Sequence, residues 1–254
     1  MEGADILNKD AKVEADRKQE RGCDMGLFTK DKKNEVSFSI ELKSSIEMGT
    51  DDTVQRLLTE ASQKRKNGNL DGAIEVLKAA YKELDKHSWS FPIAVYLRLP
   101  LYLQESGKKD EAWEEFNRLV LWVNSKPRYS PEVTPMDLSA IWDKMRLFLQ
   151  REGKNDYAVQ FAVWSYLSWA VGLYMQKRED ELVAYKAETN IEKALKTSLH
   201  KAGKEFLTNR LVKIVLNSLG NLPAVDYREI AKTVQEELRG GGGGGGGGGE
   251  IGIG

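Results

Sequence analysis

Between Thr53 and Leu84 apolar side chains recur at intervals of three and four. Leu57, Leu58 and Ala61 fall on one side of a helix over Thr53–Asn67. After a polar break, Ala73, Val76, Leu77, Ala80, Tyr81 and Leu84 form a stripe on a second helix, Gly72–Leu84. This spacing marks helices with one buried face. The pattern returns with an apolar-rich segment from Ile93 to Ser106, a break at Gly107-Lys108-Lys109-Asp110, and a helix over Glu111–Val123. In that helix Ala112, Phe116, Leu119, Val120 and Val123 share a face. It returns again with Leu138–Glu152, a break at Gly153-Lys154-Asn155-Asp156, and a helix from Tyr157 onward. The first break reads Gly68-Asn69-Leu70-Asp71, so each unit predicts helix, short turn, helix.

Two of the units are spelled almost alike. Leu101 to Ala112 reads LYLQESGKKDEA and Leu147 to Ala158 reads LFLQREGKNDYA. Glycine just past a helix end adopts the left-handed backbone that closes the helix without a Cβ penalty. Asp71, Asp110 and Asp156 are expected to cap the following helices by accepting from their free N–H groups. Ala73, Ala112 and Ala158, two residues further on, let the paired helices approach closely. Pro100 stands inside a first helix, where it is expected to kink or split it.

At these residues the chain resembles the tetratricopeptide repeat family. Gly68, Ala73, Leu77 and Ala80 match its pattern. Gly107, Ala112 and Phe116 match, with Leu119 in the last small position. Gly153 and Ala158 match, with Ala162 in place of the large residue and Ser165 after it. The units exceed the family period of about 34 residues, because the loops at His87–Pro92 and Ser125–Thr134 are long. The resemblance covers residues 53–176. It implies an all-α fold, a short α-solenoid of antiparallel helix pairs with a C-terminal helical cap at 177–239. It also implies a concave face lined by first helices. Carried over residue by residue, that face holds Leu58, Ser62 and Arg65; Leu97, Leu101 and Gln104; and Asp143, Leu147 and Gln150. The same side chains could instead pack against the next unit, and both readings stay open.

Beyond the repeats, Ile191–Leu219 and Tyr227–Leu238 predict two more helices around a turn at Gly220-Asn221-Leu222-Pro223. Lys193, Lys196, Lys201, Lys204, Arg210 and Lys213 offer either a phosphate-binding face or ordinary solvated surface. The stretch from Asp226 to Lys232 has the flavour of a first helix of a helix-turn-helix, with no recognition helix after it. The charge-free run between Asp156 and Lys177 approaches a membrane span in length. Gln160, Ser165 and Ser168 inside it, with Trp164 and Trp169 mid-run instead of at its edges, argue for a buried central helix.

Composition narrows the picture further. Lys and Arg total 38 against 39 Asp and Glu in 254 residues, so net charge gives no pointer to nucleic acid. Residues 1–35 are charged and small, and predict a disordered segment lacking a signal peptide's apolar stretch. Met25 offers a second start site. The single cysteine, Cys23, suits a reducing compartment, and the cytoplasm is the expected location. Within 36–48, Val36, Phe38, Ile40 and Leu42 alternate with polar residues at the strand period. That segment could pair with a second copy, add to a partner's sheet, or lie along the helices. Residues 240–254, mostly glycine, predict a flexible tail.

Catalytic chemistry is sparse. His87 and His200 are the only histidines and, with one Cys, form no metal cluster. No phosphate-binding glycine loop occurs. Asp110, Glu111, Glu114 and Glu115 make the densest carboxylate group, at a helix start that favours negative charge. The sequence therefore predicts a protein–protein interaction adaptor that binds a peptide or helix, without enzyme activity, cofactor, metal, nucleic acid or membrane partner. The alternatives are a homodimeric structural protein with a self-filled groove, associating through Val36–Leu42 or the Trp-rich third unit, and, behind it, a carboxylate hydrolase or a nucleic-acid binder.

Overall fold

The computed structural model describes residues 52–84, 86, 91–125 and 131–240, all within the unit Gly49–Gly254. The fold is all-α, with no strand among the described residues. The order is α1 Asp52–Lys66, α2 Leu70–Leu84, α3 Ile93–Tyr96, α4 Arg98–Glu105, α5 Lys109–Ser125, α6 Thr134–Arg151 and α7 Asn155–Met175. There follow α8 Glu179–Tyr185, α9 Glu188–Ala202, a 3-10 turn Glu205–Leu207, α10 Thr208–Leu219 and α11 Tyr227–Gly240. The charged segment 1–35, Cys23, Met25, the segment 36–48 whose pattern suggested a strand, His87 and the tail beyond Gly240 lie outside the described residues.

One turn geometry recurs along the chain. Gly68, Gly107, Gly153 and Gly203 have φ of 78°, 81°, 72° and 66°, and Lys177 joins them at 56°. At each, the next residue's N–H reaches back to the carbonyl five positions earlier. The pairs are Asn69 to Lys64, Lys108 to Leu103, Lys154 to Leu149, Arg178 to Leu173 and Lys204 to Leu199, at 2.9–3.0 Å. The residue in the left-handed conformation bonds three positions back, from Gly68 to Arg65 through to Gly203 to His200. These paired bonds satisfy the last carbonyls of a helix and reverse the chain. Ala73, Ala112 and Ala158, five residues after three of the glycines, are fully buried.

The hairpin α6/α7 runs antiparallel: Ser139 pairs with Ser165, Pro135 accepts from Ser168 Oγ at 2.8 Å, and Met136 meets Gln176. Gly172 permits the close approach, since a Cβ there would stand 2.6 Å from Met136 Cγ. The charge-free run forms α7, which packs against α6, α8, α9, α10 and α11. It is a buried central helix, with an aromatic cluster of Trp142, Phe161, Trp164 and Tyr227 along it. No described helix is long and apolar enough to cross a membrane.

Pro100 does split the first helix of its hairpin, into α3 and α4 at Leu97. Proline has no N–H for the Tyr96 carbonyl. The Tyr81 hydroxyl, from α2, takes its place: it lies 2.6 Å from the Val95 carbonyl and 3.2 Å from that of Tyr96. Burial pushes this hydroxyl far above its ordinary range, so it remains a donor.

Three expectations are corrected. Ile191–Leu219 is not one helix, because Gly203 turns left-handed and divides it into α9 and α10. Residues 179–185, without a predicted element, form α8. The aspartates are not caps: α2, α5 and α7 begin before them, which places Asp71, Asp110 and Asp156 one residue inside. Asn69 caps α2 instead, accepting from the Gly72 N–H at 2.9 Å. Asp71 and Asp156 bind Lys108 and Lys204 at 2.7 and 2.8 Å.

Candidate partner-binding face

Aligning the hairpins on their left-handed glycines puts the polar contacts between them in register. The residue three before each glycine touches the residue two before the next. Arg65 donates to Glu105 at 2.8 Å, Gln104 accepts from Arg151 at 2.8 Å, and Gln150 accepts from Lys201 at 3.0 Å. Gln150 also donates to Ser198 at 3.1 Å. A second contact links Asp71 to Lys108 and Asp156 to Lys204, running from three residues after one left-handed glycine to one after the next. The pair α9 and α10 thus turns at Gly203 with the same geometry and the same contacts to the preceding turn, with a 3-10 turn before α10, and with α8 standing between it and the third hairpin.

The nine positions assigned from the sequence divide into two sets. Leu58 and Leu97 are 3% exposed and Gln104 is 9% exposed, so these three lie within the packed interior. Ser62, Leu101, Asp143, Leu147 and Gln150 are half-buried, and Arg65 is exposed. Arg65 rests over the Tyr102 ring at 4.9 Å while it pairs with Glu105. Asp143 is held by Arg146 at 2.6 Å. The innermost of these side chains pack in the interior, and the residues six before the glycines (Ser62, Leu101, Leu147) are half-buried.

Sequence reasoning missed Glu105 and Arg151 of the other half of the register, and read Lys201 only as part of a separate basic face; it also missed Arg98, whose Nη1 lies 3.5 Å from Ser62 Oγ. The signal was present, since Glu105, Arg151 and Lys201 all stand two residues before a glycine. Around Gln104 the contacts extend into a network. Its amide donates to Glu152 and to the Phe148 carbonyl, each at 3.3 Å, and Glu152 binds Lys109 at 2.6 Å. Chiefly the Lys109 hydrogen bond, with help from Gln104, holds the Glu152 carboxyl below its ordinary range against partial desolvation.

Charge is sorted between the two helices of the hairpins. Lys and Arg outnumber Asp and Glu on α1, α6 and α9 and equal them on α4, whereas carboxylates outnumber cations on α2, α5 and α7; α10 departs from this, with Arg210 and Lys213 and no carboxylate. The helix dipole accounts for much of this, because first helices end and second helices begin at the glycine turns. The consequence is a cationic edge along the first helices.

Among the described residues no group of three or more His, Cys, Asp or Glu is arranged to hold a metal ion. An open depression of about 480 Å³ is bordered by the exposed Gln55, Arg56, Thr59 and Glu60 of α1. The chain matches no protein-family model, no curated protein and no solved structure.

Proposed function

We propose that this protein is an adaptor of the tetratricopeptide-like kind. Its hairpins stack as a short α-solenoid, and the surface of the first helices holds a peptide or helix of a partner protein. It acts by binding, not by catalysis. The observation that carries this reading is the shared register of the four glycine-turn hairpins, which sets the half-buried Ser62, Leu101 and Leu147 at equivalent positions on successive first helices. Side chains half-covered in one row, with polar groups on both sides, suit an extended ligand that binds by shape plus a few hydrogen bonds.

The test is selection of peptides from a displayed library against the full chain, followed by Leu101→Glu/Leu147→Glu. The expected result is that selected peptides lose at least about tenfold in affinity while helicity and melting temperature stay close to the parent. Selected peptides that bind the variant unchanged would refute this face as the site. Leu147→Glu alone, at a position not packed as deeply as the core leucines, guards against a folding defect in the double variant.

A further inference from the structure

Three cations on successive first helices share a feature: each binds back across the seam to a neutral oxygen. Arg98 of α4 reaches Ser62 Oγ at 3.5 Å, Arg151 at the end of α6 reaches Gln104 Oε1 at 2.8 Å, and Lys201 of α9 reaches Gln150 Oε1 at 3.0 Å. They form a continuous series. Arg151 contacts a residue six positions along α4 from Arg98, about 9 Å of helix, and Lys201 contacts the residue next to Arg151. The half-buried Leu101 and Leu147 belong to the same helices. Two other turn cations are paired with carboxylates instead, Lys108 with Asp71 and Lys109 with Glu152.

Resting on the adaptor reading above, we propose that the ligand of this face is an acidic segment of a partner protein. Its Asp and Glu side chains meet Arg98, Arg151 and Lys201, and its apolar side chains lie against Leu101 and Leu147. Amide and hydroxyl partners orient the three cations without neutralising them, so an arriving carboxylate gains a full charge-assisted contact. The sorting of cations onto first helices supplies the longer-range attraction. A peptide fits better than a nucleic acid because Leu101 and Leu147 offer apolar contact to its side chains and nothing to a phosphate backbone.

The test uses the full chain and fluorescence anisotropy with labelled peptides of repeating Glu-Glu-Leu, Gln-Gln-Leu and Lys-Lys-Leu, together with labelled oligodeoxythymidine. The proposal expects Glu-Glu-Leu to bind best, with affinity falling as salt rises, and Arg98→Gln/Arg151→Gln/Lys201→Gln to weaken it at least about tenfold. Glu105→Gln, which removes a competing carboxylate, tightens the same peptide severalfold and serves as an independent check should the triple variant fold poorly. Equal binding of Glu-Glu-Leu and Gln-Gln-Leu, insensitive to these substitutions, overturns the acidic preference and leaves the adaptor reading standing. Tighter binding of oligodeoxythymidine overturns it in favour of a nucleic-acid face. Absence of binding by every probe also overturns it, and the library selection then decides the adaptor reading separately.

Discussion

Tyr81 carries more of the local structure than its place in an apolar stripe suggests. Its hydroxyl covers the carbonyls freed where Pro100 interrupts the second hairpin's first helix, so a side chain of one hairpin completes the backbone of the next. Tyr81→Phe keeps the ring and leaves those carbonyls buried without the donor. It should destabilise the protein by about 1–3 kcal/mol, the cost of an unsatisfied buried polar group, read as a lower urea midpoint with unchanged slope. Pro100 itself was legible in the sequence because proline breaks a helix wherever it falls beyond the first turn. Its rescue was not legible, since the compensating hydroxyl lies nineteen positions earlier and only packing brings it near.

At the scale of the element, the glycine turn is the recurring device, and Lys177 is its exception. Its φ of 56° costs an L-residue about 1–2 kcal/mol, part of which glycine returns through the entropy of the unfolded chain. Lys177→Gly should therefore stabilise by about 0.5–1 kcal/mol, whereas Gly153→Ala, with open space around the new methyl, should cost about 1–2 kcal/mol from backbone strain alone. Thermal denaturation of the two variants checks both signs. This explains which hairpins could be read from the residues. Gly68, Gly107 and Gly153 announce themselves with Ala five residues later. Lys177 lacks the glycine, and Gly203 is followed by Phe206 and Thr208 where the others have Asp and Ala, so α8 and the fourth hairpin went unread. The contacts between turns give the element its pH dependence. The Glu152 carboxyl is depressed in the folded state, so its contribution is present above the unfolded value of about 4.3 and lost as pH falls through the lower folded value. Stability measured from pH 6 downward should fall more steeply below about pH 4.3 for the parent than for Glu152→Gln.

For the molecule as a whole, the described hairpins begin and end on polar surface. Helix α1 exposes Gln55, Arg56, Thr59, Glu60 and Gln63, and α9 exposes Lys193, Lys196 and Thr197. Under the proposed solenoid reading, such polar outer faces are what ends the stack. The third hairpin's Trp142 and Trp164 are 6% exposed and engaged with Tyr227, which places these indoles inside the fold. The exposed large apolar side chains Leu121, Tyr174, Val183 and Phe206 are spread over α5, α7, α8 and the 3-10 turn, as single apolar residues commonly are. The charge sorting follows from the hairpin order itself. Dipoles favour cations where α1, α6 and α9 end, whereas α4 ends on Glu105; under the proposed stacking those cationic ends would form a positive edge.

That edge exists only if consecutive hairpins are aligned glycine to glycine. Crosslinking by a short bismaleimide in a Cys23→Ser background reads this alignment directly. The pairs Arg65→Cys/Glu105→Cys, Gln104→Cys/Arg151→Cys and Gln150→Cys/Lys201→Cys should all bridge intramolecularly, while Arg65→Cys/Arg151→Cys, one hairpin out of step, should not. Failure of any adjacent pair in a folded variant, or efficient bridging of the skipped one, would contradict the stacked register on which the binding face is built.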